Sequence, residues 1–222
     1  MANRVVYSCQ TLKNELLLTA KEVGFADEIN FLDVKLHSDP QKMHEALQAH
    51  IDNNKSADEI LICVSGCGKS TLGLKATTAD LIIPRTMDCI DVLLSGSGIE
   101  RPQGAIFMTK SWMEFSKNST ICHEKMIKEK GFEEASRVLR KLYNGFNEFY
   151  IIDTGTYDTK MVEDYIKPLV EILDGKIMYL PGKYGVLKKM LSGNYDHDII
   201  HIQKGGSVDI SEFAGLCPAV IK

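Results

Sequence analysis

The chain has 222 residues, 44% hydrophobic and 25% charged, with a formal net charge of -4 and six cysteines. That is enough apolar sequence for one large domain, or two smaller ones, with a proper core, and it excludes a disordered or collagen-like chain. The acidic balance gives no general pull toward nucleic acid or an anionic membrane, and the longest apolar runs, such as Leu81-Ile82-Ile83, are far too short to span a bilayer.

In chain order, Arg4-Val5-Val6-Tyr7-Ser8 reads as a first strand. Residues 11–23 carry Leu12, Leu16 and Ala20 at a helical period, and 29–34 is a second short apolar run. Ser38-Asp39-Pro40 predicts a capped helix start, with Met43, Leu47 and Ile51 on one face of the helix that follows. Glu59-Ile60-Leu61-Ile62-Cys63-Val64 is apolar nearly throughout, the pattern of a strand buried on both faces, and Leu81-Ile82-Ile83-Pro84 is the next strand. A short helix is expected between them at 71–76. The alternation predicts an α/β fold with a mostly parallel sheet and helices on both faces.

The second half alternates less regularly. Strands are expected at Ala105-Ile106-Phe107-Met108, Phe149-Tyr150-Ile151-Ile152, 176–180 and 199–203. Helices are expected through Trp112, over 121–144 with a break at Gly131, over 162–173 if Pro168 kinks or interrupts it, and over 184–191. The Gly- and Pro-rich stretch around Gly96-Ser97-Gly98 and Pro102-Gln103-Gly104 marks a boundary or lid. Two Rossmann-like lobes follow, 1–95 with most of the cysteines and 105–222, around a cleft, or else one continuous domain.

Gly66-Cys67-Gly68-Lys69-Ser70-Thr71 follows a strand and resembles a nucleotide phosphate loop. The full pattern needs a glycine five residues before Gly68, where this chain has Cys63, and a longer helix after the loop than 71–76 allows. The looser reading is an anion pocket walled by the amides of Gly66 and Gly68, with Lys69 and Ser70. A nucleotide- or phosphate-binding module built on Lys69 and Ser70 is the alternative.

The beginning of the chain lacks the apolar stretch of a secretion signal, so a cytoplasmic protein is expected, and its cysteines are not expected to form disulfides. Cys9, Cys67 and Cys89 each follow a predicted strand. In an open parallel sheet such residues face one crevice, so three thiols distant in sequence are expected to meet there. Three thiolates suit zinc with one coordination position open, or an iron–sulfur cluster with one iron not held by cysteine. A metal-free thiol transferase with Cys67 as nucleophile is the other alternative, because a thiol in a glycine-rich turn at a helix start has a lowered pKa. Cys63, Cys122 and Cys217 read as small buried hydrophobes. His37, also past a strand, is a candidate fourth ligand or acid–base group, or else a loop histidine bonded to backbone. Arg85 and Asp88 flank Cys89; they are expected to orient a substrate carboxylate, with Arg85 neutralising it, or to tune the thiolate, or else to pair with each other. Trp112 is the single tryptophan and lines either cleft or core. His197 and His201 read as surface residues.

These residues also carry a resemblance. Ser8-Cys9 with Leu12 and Glu15-Leu16, Leu36-His37 with Pro40, Gly66-Cys67-Gly68 with Gly73-Leu74, Ile83-Pro84-Arg85, Asp88-Cys89, Leu93-Leu94, Thr109 with Trp112, and Ile152-Asp153-Thr154-Gly155 resemble the domain of unknown function family 1638. The family pattern has an asparagine-like residue at the position of Lys69 and a histidine at that of Met87. The resemblance implies a cytoplasmic protein of anaerobes, encoded beside corrinoid-dependent methyltransferases of one-carbon metabolism. Together with the cysteines it leads to the expectation of a metal- or iron–sulfur-binding enzyme or accessory protein of anaerobic one-carbon or sulfur metabolism. Its expected partners are a small anionic molecule and proteins of the corrinoid methyltransferase system, with neither nucleic acid nor membrane.

Overall fold

The apolar runs become strands. The computed structural model describes residues 2–66 and 69–216, and in them lie β1 (Arg4–Ser8), β2 (Glu28–Phe31), β3 (Glu59–Cys63), β4 (Asp80–Pro84), β5 (Ile106–Met108), β6 (Glu148–Asp153), β7 (Lys176–Pro181) and β8 (Ile199–Ile202). The helices are α1 (Lys13–Val23), α2 (Pro40–Asn53), α3 (Cys89–Leu94), α4 (Lys110–Asn118), α5 (His123–Lys130), α6 (Phe132–Leu142), α7 (Thr159–Ile172) and α8 (Gly185–Ser192). The fold class is α/β with mostly parallel sheets. The chain divides into two compact units, Met1–Gly96 with Tyr184–Lys222, and Ser97–Lys183.

The first unit is built on a five-stranded sheet of order β2-β1-β3-β4-β8. The first four strands run parallel, with Val5 opposite both Glu28 and Ile60, and Leu61 opposite Ile82. β1, β3 and β4 are buried after their first residue, as apolar strands covered on both faces must be. β8 runs antiparallel on the β4 edge, with His201 opposite Ile82. α2 starts as its sequence predicts: Asp39 Oδ1 accepts from the Lys42 amide at 3.1 Å, Pro40 occupies the first turn, and Met43, Leu47 and Ile51 are buried.

Two local expectations change. The stretch after β3 is not helical: residues 70–73 form turns, Gly73 has φ +77, and Lys75 bridges Ser207. Leu74 and Ala76 there are fully buried, so this connection feeds the core directly. The expected lobe of 105–222 loses its last part, because residues from 184 onward complete the first unit. The amides of Gly185 and Val186 donate to the Ser95 carbonyl and hydroxyl at 2.9 Å, so the chain re-enters that unit beside the point where it leaves. A Cβ on Gly185 would lie 3.2 Å from the Ser95 oxygen, which is why the return is made at glycine. Pro168 lies inside α7 without ending it. The carbonyl deprived of its partner belongs to Asp164, an exposed residue that water can reach.

The second unit holds the parallel sheet β5-β6-β7. Phe149 and Ile151 of β6 pack with Val162 and Ile166 of α7 in its core. α5 and α6 are separated at Gly131, φ +78, where the sequence predicts a break. No helix among the described residues is long and apolar enough to cross a membrane.

Gly175 leads into β7 at a close approach: a Cβ there would sit 2.8 Å from the Asn147 carbonyl oxygen and 3.1 Å from the Phe149 ring. Gly175→Ala is therefore expected to destabilise the protein by about 1–3 kcal/mol, the usual cost of overpacking. A lowered urea midpoint of the intact chain checks this; an unchanged midpoint contradicts it.

Candidate functional site at the strand ends

Sheet order decides which residues can meet. From β1 the chain passes to β2 on one side, while β3 and β4 lie on the other, so the connection reverses between β1 and β3. In an open parallel sheet the ligand crevice lies outside the strand carboxyl ends at such a reversal. Cys9 is the first residue past β1. His37 lies in the 3-10 helix Val34–Ser38 that follows β2. Residues 85–88 lead from β4 to Cys89, the first residue of α3. The turn after β3 begins at Val64 and runs to Gly66; Cys67 and Gly68 lie outside the described residues.

Cys9 Sγ stands 3.4 Å from His37 Nδ1 and accepts a hydrogen bond from the Thr11 hydroxyl at 3.2 Å. Cys9 is 6% exposed and Cys89 5%. Burial pushes the Cys9 thiol above its usual range; the Thr11 hydroxyl and the amides of Thr11 and Gln10 oppose this, and charge on Cys89 adds to it. Burial lowers the His37 pKa, and the Asp88 carboxylate pulls the other way. Asp88 Oδ1 also caps α3, accepting from the amides of Ile90 at 2.9 Å and Asp91 at 3.1 Å. A hydrogen bond of 2.9 Å between the Thr86 and Ser65 hydroxyls, with the Gly66 amide donating to the Thr86 carbonyl at 3.1 Å, ties the loops after β3 and β4 together.

The chain belongs to the family described as Protein of unknown function (DUF1638). The family model matches residues 31–191, a span that contains His37, Cys67 and Cys89, with Cys9 lying before it. No curated protein and no solved structure matches the chain.

In this DUF1638 chain the remaining candidates have varied surroundings. Lys69 is exposed at φ +66, its amide donating to the Gly66 carbonyl at 2.7 Å. Ser70 and Thr71 are buried, and their hydroxyls have no hydrogen-bond partner among the described residues. The Ser70 carbonyl meets His44 Nδ1 at 3.1 Å. Arg85 has a different task from the expected one of neutralising a substrate. Its Nε donates to the Glu212 carbonyl at 2.9 Å, and its terminal nitrogens to the carbonyls of Ala214 and, at 3.5 Å, His197. The chain returning past the end of β4 leaves these carbonyls outside any ladder, and a guanidinium fork is suited to satisfy them. The same segment brings the Phe213 ring to within 3.5 Å of where a Gly66 Cβ would be.

Trp112 belongs to the second unit, where the Thr109 hydroxyl caps α4 by accepting from its amide at 3.2 Å and its ring meets Phe115 edge-on. Cys63 is fully buried in β3, its thiol pushed up to about 12 by burial, and Cys122 is buried in the second unit with its sulfur 3.8 Å from the Tyr165 hydroxyl. Both fit the reading as buried small hydrophobes; Cys217 lies outside the described residues.

Among the described residues, one group of three metal-ligating side chains has its ligand atoms within 4.8 Å of one another: Asp196, His197 and Asp198. Lys189 pairs with both of these carboxylates, so the cluster is a solvated charge network. Thr11, Thr71 and Glu15, whose side chain is buried in the first turn of α1, are polar residues near the strand ends that sequence reasoning passed over. Thr11 carries a weak signal in its position two residues after Cys9; the other two carry none.

Arg85→Ala removes bonds from a charged donor, each worth about 1.5–3 kcal/mol. Amide hydrogen exchange over residues 210–216 is expected to accelerate. Exchange there at the unaltered rate contradicts the structural role.

Proposed function

We propose that this DUF1638 protein binds a thiophilic metal centre, a zinc ion or an iron–sulfur cluster, through Cys9, Cys67 and Cys89. The observation that carries the reading is the arrangement of donors along the sheet. Cys9 and Cys89 follow β1 and β4, Cys67 follows β3 in the sequence, β3 lies between those two strands, and Cys9 Sγ stands 3.4 Å from His37 Nδ1. The four described cysteines are free, which accords with the reducing cytoplasm the reading assumes.

The state of Cys9 favours a metal ligand over a nucleophile at that position, while the transferase alternative rests on Cys67, which lies outside the described residues. A reactive thiol needs a lowered pKa and access to solvent. Cys9 is buried and its pKa is raised, so alone it stays protonated and inert. A metal reverses this by displacing the proton and forming the bond itself. A nucleotide module gains little support, because residues 70–73 are turns and no helix after the loop presents its amide end to phosphates. Three thiolates leave a metal position for a small anion, and the Gly66 turn with the buried Ser70 hydroxyl is the polar wall beside it. Arg85 is not part of that wall. A place in anaerobic one-carbon or sulfur metabolism, next to corrinoid methyltransferase proteins, rests on the family resemblance alone.

Anaerobic purification followed by metal and acid-labile sulfide analysis tests the proposal. Near-stoichiometric zinc, or iron with sulfide, is expected. Cys9→Ser, Cys67→Ser and Cys89→Ser should each lose the centre while retaining native circular dichroism, and Cys122→Ser should keep it. Zinc, iron and sulfide all at background in the unaltered protein would sink the reading.

A further inference from the structure

We infer that His123 is an acid-sensitive latch of the second unit: its neutral imidazole pins the start of α5 to α7, and a proton on the ring releases α5 and bares the Cys122 thiol. The inference is independent of the metal reading, since it concerns the second unit alone.

The pin is a hydrogen bond. His123, the first residue of α5, is 2% exposed, and its Nε2 lies 2.9 Å from the Tyr165 carbonyl of α7. A carbonyl only accepts, so Nε2 carries the hydrogen and the lone pair of the neutral ring is on Nδ1. The imidazole also packs on the Tyr165 ring, with centroids 4.6 Å apart. One side chain thus joins α5 to α7 twice, through a main-chain bond and a ring contact. Cys122, the residue just before α5, is buried against the same tyrosine, its sulfur 3.8 Å from the hydroxyl. That hydroxyl donates to Ser116 Oγ of α4 at 3.0 Å.

The surroundings of the ring resist a second proton. It is buried, it stands at the positive end of α5, and the Lys117 ammonium of α4 already lies 5.0 Å from the centre of the neighbouring Tyr165 ring. The Tyr165 carbonyl and the Glu124 carboxylate of α5 favour the charged ring, but burial outweighs them and holds the His123 pKa below its ordinary value of 6.5. Cys122 and, from the end of α6, Tyr143 complete the titratable groups of this cluster.

A proton goes to Nδ1 and leaves the Nε2 bond intact, so the release comes from the cost of a buried cation, which opening into water relieves. With α5 open, the ring takes its proton near its ordinary value of 6.5; closed, it takes it only at lower pH. The closed form therefore keeps its full advantage above that value and loses it as pH falls below, by at most about tenfold per pH unit, the limit for one proton.

Labelling of Cys122 as a function of pH tests the latch. The full chain is treated with dithiodipyridine, a disulfide that reacts with thiols in acid as well as at neutral pH, and the modified cysteines are located by peptide mass mapping. Rates are taken relative to a free cysteine peptide at the same pH. From about pH 7.5 to about pH 5.5 the relative rate at Cys122 should rise several-fold, while Cys63, fully buried in the first unit, stays unmodified. In His123→Gln, whose amide can still donate to the Tyr165 carbonyl but cannot take up a proton, the rise should vanish. A rise that persists in His123→Gln, no rise in the unaltered protein, or modification of Cys63 in step with Cys122, the mark of global acid unfolding, overturns the inference. Should His123→Gln misfold, imidazole NMR of the unaltered protein decides. A ring with its hydrogen on Nε2 that charges below 6.5 supports the latch, and one that charges at 6.5 or above overturns it.

Discussion

Four parallel strands end on the same side of one sheet, and the functional reading depends on that constraint. Because β2, β1, β3 and β4 point the same way, whatever follows each strand arrives at the same edge. Neighbouring strands lie about 4.8 Å apart, so four strand ends span roughly 14 Å. A metal needs its donors closer than that, and the loops must bend them inward. The 3-10 helix after β2 holds His37, the short step from β1 holds Cys9, and the capped start of α3 holds Cys89; of these, Cys9 Sγ and His37 Nδ1 stand 3.4 Å apart.

Burial then decides what chemistry these groups can perform. The Cys9 thiol, out of water with a raised pKa, is a poor nucleophile and remains protonated. The same burial favours the neutral form of the His37 imidazole. Thr11 contributes from below, its hydroxyl donating to the Cys9 sulfur, an interaction compatible with thiol and thiolate alike.

Much of the framework was legible in the sequence, and the reasons are physical. Apolar runs such as Ile60-Leu61-Ile62 announce strands buried on both faces, and Asp39-Pro40 announces a helix start, because both signals are local. The direction of β8 was not legible, since Ile199 and Ile200 read the same whether the strand runs up or down. Nor was the return of the chain to the first unit, which depends on the approach of Gly185 to Ser95 across the intervening unit's length of sequence. The strand-end positions of Cys9 and Cys89 followed from spacing. The pairing of Cys9 with His37 required the knowledge that β2 lies beside β1. The structural role of Arg85 was illegible for the same reason: its carbonyl partners lie 112 to 129 residues further along the chain.

The central claim is a location, and anomalous diffraction tests it most directly. Crystals of anaerobically purified protein, measured on both sides of the iron and zinc absorption edges, should show one anomalous peak at the carboxyl edge of the first sheet. For zinc, the peak should lie about 2.3 Å from the sulfurs of Cys9 and Cys89. A peak at Asp196, His197 and Asp198 instead, or none at the strand ends of a fully metal-loaded protein, would contradict the account.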